Sequence, residues 1–120
     1  MNNTEEIAKR LAAHCSKGDF EAAQNELFSP DAVSIEMKDS PAFAKETKGL
    51  EAIRAKGRKF SGMIERIHSI RVSPLIVTGD AFACALTIDA DMKGQGRTTM
   101  SEICVYEVKD GKIVAERFFN

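Results

Sequence analysis

The chain has 120 residues, 43% of them hydrophobic and 29% charged, an ordinary globular balance that fits one domain, residues 1–120, with a modest core. Its 17 Lys and Arg are interspersed with 18 Asp and Glu for a formal net charge of -1, so it lacks the basic excess of a nucleic-acid binder, and no apolar run approaches the roughly 20 residues that span a bilayer. Three cysteines, Cys15, Cys84 and Cys104, are odd in number, widely spaced and set among apolar neighbours, which argues against a disulfide framework and for a reducing cytoplasm.

The first six residues, Met1 to Glu6, are polar and acidic, unlike a signal peptide. Residues 4–17 read as a helix, with Ile7, Leu11 and Cys15 on one stripe and Ala8 beside it. Asn3 is placed to cap it, with Glu6 as the reciprocal carboxylate, and Gly18 fits the stop. Asp19 can then cap a second helix through about Phe28, with Phe20, Ala23 and Leu27 inward. Residues 32–37 read as a short strand, residues 38–48 as a polar loop containing Pro41. A third helix is expected from about Gly49 to Gly62, its apolar face carrying Leu50, Ile53, Gly57 and Phe60. Arg54, Lys56, Arg58 and Lys59 then read as a solvated basic face.

The remainder reads as strands near 64–78, 81–93, 97–109 and 112–119, separated by Gly79-Asp80, Gly94-Gln95-Gly96 and Asp110-Gly111, the last a strong hairpin signal. Helices first and an antiparallel meander last is an α+β order. In 82–90 the even positions, Phe82, Cys84, Leu86, Ile88 and Ala90, are apolar and expected to face the helices. In 99–107 both faces carry apolar side chains: Met100, Glu102, Cys104 and Tyr106 on one, Ile103 and Val105 on the other. A sheet with its second face against a partner subunit reads this way, so a homodimer through Ile103 and Val105 is expected.

Several short pieces carry a family resemblance. They are Gly18-Asp19-Phe20, the run Leu27 to Val33, Lys48-Gly49-Leu50-Glu51-Ala52-Ile53, and the final hairpin from Val108 to Glu116. In this order and spacing the chain resembles the nuclear transport factor 2-like superfamily, SnoaL-like and ketosteroid isomerase-like domains included, over nearly its whole length. The resemblance implies a cone-shaped curved antiparallel sheet packed on three helices and enclosing a pocket. It is nearly silent on activity, because that superfamily holds isomerases, cyclases, dehydratases and non-catalytic domains.

Ketosteroid isomerase, which tunes its carboxyl groups by their surroundings, sets an aspartate base a few residues after an aromatic–small–Asp–Asp–Ala run. The similar run here is Phe28-Ser29-Pro30-Asp31-Ala32, and the resemblance places Glu36 at the base. The positions of that enzyme's oxyanion donors fall near Leu11 and Met100, which donate no hydrogen bond, so its steroid chemistry is not implied.

Glu36 is therefore the first candidate, as a general base: a carboxylate desolvated among apolar neighbours favours its protonated form, provided no cation touches it. The alternative is a glutamate pointing to solvent at a strand end. Glu102, by parity, and Glu116, by the resemblance, are candidates for acid or orienting partner, with Arg66, Arg97 or Arg117 as possible neutralising cations. The alternative is cross-strand ion pairing, such as Glu116 with an arginine on a neighbouring strand. His68 could act as acid or base, or sit half-exposed on a strand; His14 reads as structural. Leu11, Cys15, Leu86, Ile88 and Met100 are the expected apolar lining for a small-molecule ligand. Two distant histidines without metal-ligand spacing make a metal unexpected, and no cofactor is implied. The rival reading is a non-catalytic ligand-binding or dimerisation module.

Overall fold

The structure is a computed structural model that describes residues 3–120; the expectation for the N-terminus rests in part on Met1 and Asn2, which lie outside them. Helix α1 spans Thr4–Ser16 and buries Ile7, Ala8, Leu11 and Cys15, the stripe expected from a period of 3.6. The expected capping box is not formed. Asn3 makes no side-chain cap bond, and Glu6 instead accepts from Arg10 at 3.1 Å along the helix surface. Helix α2, Phe20–Leu27, buries Ala23 and Leu27, and Phe28 already belongs to strand β1, Phe28–Ile35.

Residues 36–45 cross the surface before a three-residue strand β2, Glu46–Lys48, pairs with β1 and leads into helix α3, Leu50–Gly62. Then come β3, Ile64–Val72; β4, Ile76–Thr78; β5, Ala81–Met92; β6, Gly96–Lys109; and β7, Lys112–Phe119. The stretch expected as one strand from 64 to 78 is broken at Ser73-Pro74-Leu75, since proline has no N–H for the ladder.

Among the described residues these seven strands form one sheet in the order β2-β1-β7-β6-β5-β3, with β4 on β5. The sheet is mixed, where an antiparallel one was expected: β1 runs parallel to β7. Register shifts between Ile64 and Arg66, Ile67 and Ser69, and Glu107 and Val108 curve the sheet about the helices without closing it. All three helices pack on its concave side.

The parity expected for the long strands holds. Phe82, Cys84, Leu86, Ile88, Ala90 and Met92 on β5, and Cys104, Tyr106 and Val108 on β6, are buried. On β1 the buried positions are Ala32 and Ser34 besides Phe28, while Val33 and Ile35 are only half-buried. Small side chains thus face the concave side there, and Glu36 continues that face past the strand end.

Candidate functional site

Between the helices and the concave face lies a half-open cavity of about 1050 Å³. Register builds its floor row by row. Ser34 pairs with Glu116, and Glu116 with Tyr106, which pairs with Phe82. The next row holds Phe118, Cys104 and Cys84. Glu102, opposite Leu86, follows two residues before Cys104. Tyr106 is buried, stacks on Phe82 at 4.8 Å between ring centroids, and borders the cavity.

Lys56 of α3 reaches into this floor. Its Nζ donates to Glu36 Oε2 at 2.6 Å and to Ser34 Oγ at 3.0 Å, and lies 5.3 Å from the centre of the Phe118 ring. Ser34 in turn stands opposite Glu116 in the β1–β7 register. Three carboxylates, Glu36, Glu102 and Glu116, and the Lys56 ammonium group therefore meet at the floor of this cavity. Burial pushes the Glu102 carboxyl up to about 7, helped by the negative charge of Glu36 and opposed by Lys56. Burial likewise pushes Glu116 up to about 7, opposed by the neighbouring Ser34 hydroxyl and by Lys56. Burial holds Tyr106 well above the usual phenol range, so its hydroxyl keeps its proton, and lifts Cys15 to about 12, which leaves an inert thiol.

At the rim, Arg58 is bound to Glu21 at 2.7 Å and Arg54 to Asn25 at 2.7 Å, tying α3 to α2. Lys59 donates to the carbonyl of Ala42 and covers the Phe43 ring, so α3 also holds the 36–45 segment over the mouth. Among the described residues no group of three or more His, Cys, Asp or Glu is set to hold a metal ion.

Over residues 2–120 the sequence matches the family model described as a SnoaL-like domain. The chain belongs to the SnoaL-like family. Among solved structures, this SnoaL-like chain is similar to a candidate SnoaL-like polyketide cyclase from Mesorhizobium loti, at 34% identity over 97% of each chain with a TM-score of 0.88. It is also similar to a protein of unknown function with a cystatin-like fold from Xanthomonas campestris, 23% identical over 99% of this chain and 90% of that one, TM-score 0.81. A third, from Catenulispora acidiphila, has a ketosteroid isomerase-like fold and was solved in complex with trimethylamine; it is 18% identical over 98% of this chain and 87% of that one, TM-score 0.75. The last two likenesses are of fold alone. No curated protein matches the sequence.

Of the residues expected from the sequence, Glu36, Glu102 and Glu116 all line the cavity of this SnoaL-like domain, as do Leu11, Cys15, Leu86, Ile88 and Met100. His68 does not: its Nε2 lies 2.9 Å from Asp91 on the neighbouring strand, away from the cavity. None of the expected arginines neutralises the carboxylates. Arg97 is held by Asp89 and Arg117 by Glu107, and Arg66 is absent from the lining. The cation is Lys56, expected on a solvated face and in fact only 16% exposed. A signal for it exists, because Lys56 lies three residues after Ile53 and four before Phe60, on the apolar face of α3. Its contact with Glu36 also removes the premise that no cation touches that carboxylate. Tyr106 and Ser34 are likewise legible by parity, beside Glu102 and Glu36.

Proposed function

We propose that this SnoaL-like domain binds a small, mostly apolar molecule bearing a carbonyl or hydroxyl group and moves a proton on it without a cofactor, as an isomerase, cyclase or dehydratase would. The observation that carries this reading is the convergence of three carboxylates on one apolar cavity, with two of them, Glu102 and Glu116, lifted to about 7. A carboxyl group near that value gives up and takes back a proton around neutral pH. Glu36 is the general base, and Glu102 or Glu116 the acid that donates to the ligand oxygen. The likeness to a candidate polyketide cyclase agrees with this class of chemistry.

The test is hydrogen–deuterium exchange at the carbon next to the carbonyl of a panel of neutral cyclic ketones, followed by NMR. Wild-type protein is expected to accelerate exchange on at least one of them, and Glu36→Gln to slow that exchange about 100-fold or more, the usual contribution of a general base. Acceleration that survives in Glu36→Gln unchanged removes Glu36 from the role, and no acceleration by wild type on any ketone removes the reading.

A second reading, an association module, is favoured by the convex face of the sheet. There Ile103 (52% exposed) pairs across strands with Phe119 (46% exposed), and Ile76 and Val105 extend the patch. The two readings are compatible: we take the domain to act as a homodimer joined through this face. With three free, buried cysteines we place it in a reducing cytoplasm.

A further inference from the structure

The proposed chemistry leaves Lys56 without a role, although it is the cation at the centre of the carboxylates. It stands at a branch. On one side it bonds Glu36 directly, at 2.6 Å; on the other it bonds Ser34 at 3.0 Å, and Ser34 stands opposite Glu116 in the β1–β7 register. Glu102, two residues from Cys104 on the same floor, receives no such bond from it.

We propose that Lys56 is a positioning residue that divides the labour of the three carboxylates: it holds the Glu36 carboxylate by direct contact at the end of β1 and leaves Glu102 and Glu116, which it does not touch, to meet a neutral ligand oxygen. The inference rests on the proton-transfer reading and narrows its substrate class. One ammonium group neutralises one carboxylate by contact, and like charges in a desolvated site do not all ionise together. The other charged groups facing the cavity are already engaged or lie at its mouth. Arg58 and Glu21 bind each other, Arg54 binds Asn25, and Asp19 and Lys38 sit on exposed turns. Cys15 and Tyr106 stay neutral. An anionic ligand finds no uncommitted cation on the floor, so the site takes neutral carbonyl or hydroxyl compounds and rejects carboxylates and phosphates.

The test is a carbon-13 NMR titration of protein labelled at the glutamate carboxyls, comparing wild type with Lys56→Met, Lys56→Arg and Glu36→Gln, with an amide spectrum to certify folding. In Lys56→Met the Glu36 carboxyl signal at pH 6 is expected to move toward the protonated shift, and the midpoints of Glu102 and Glu116 to rise by about one unit, the effect of losing one nearby opposite charge. Lys56→Arg is expected to return the Glu36 signal. In Glu36→Gln, where Lys56 is freed toward Ser34, the midpoints of Glu102 and Glu116 are expected to fall by a similar amount, a reading that stands even if Lys56→Met does not fold. A Glu36 signal identical in wild type and Lys56→Met, or midpoints unmoved in Glu36→Gln, overturns the role of Lys56. Failure of the ketone exchange alone strikes the proton-transfer reading and leaves this protonation pattern to be judged separately.

Discussion

Burial pushes Glu102 and Glu116 up to about 7, and both therefore cost the fold stability whenever they ionise. In an unfolded chain a glutamate titrates near about 4.3. Between that value and 7 the folded protein binds more protons than the unfolded one. The stability tied to the protonated groups is thus fully present below the window and is lost as pH rises through it. For Glu116, the most buried of the three, the loss is on the order of 3 kcal/mol. Glu116→Gln keeps the shape without the charge. It is expected to be more stable than wild type at pH 8 by an amount of that order and close to wild type at pH 4.5. Urea unfolding at the two pH values measures it, and an equal difference at both would refute the burial argument. The same residue-scale physics explains why the sequence pattern alone leaves Lys56 in solvent. A lysine in a run of basic residues is normally solvated, and only the carboxylates opposite, from segments 20 to 60 residues away in sequence, make its burial favourable.

At the scale of elements, periodicity is a reliable guide and punctuation less so. The stripes of α1 and α3 and the parity of β5 and β6 are legible because each buries one face, and a one-residue slip would expose it. The caps are not, because Glu6 has a competing partner in Arg10 and Asp19 makes no side-chain cap bond. Gly18 shows what punctuation does when it works. It has a φ of +78°, its N–H bonds the carbonyl of Cys15, and a Cβ there would lie 3.3 Å from the Ile70 side chain of β3. Gly18→Ala combines a left-handed backbone with a tight contact and is expected to destabilise by about 1–2 kcal/mol. A thermal melt that leaves the midpoint of this variant at the wild-type value would show that the α1–α2 turn relaxes freely.

The whole molecule presents an asymmetric sheet, concave and half-lined with ionisable groups on one side, convex and in part apolar on the other. The convex patch crosses four strands through Ile76, Ala83, Val105, Ile103 and Phe119. A patch of this kind is normally covered, and a two-fold pairing of the same face on two copies covers it with no further partner. Ile103→Lys is therefore expected to lower the sedimenting mass from dimer to monomer at micromolar concentration without changing the far-ultraviolet circular dichroism. Wild type sedimenting as monomer would remove the proposed dimer outright. No helix among the described residues is long and apolar enough to cross a membrane.

From the sequence alone followed the α+β order, the concave faces of β5 and β6, and eight residues that line the cavity. Burial period and turn chemistry are local properties written in neighbouring residues, and the family resemblance supplied the positions of Glu36 and Glu116. What only the tertiary structure decided depends on contacts between distant segments. The parallel pairing of β1 with β7 sets Ser34 beside Glu116. The break at Pro74 and the shifts in register curve the sheet, and the reach of α3 over β1 delivers Lys56 to Glu36. His68 went to Asp91 for the same reason: a strand's register, not its composition, chooses the partner of a charged side chain.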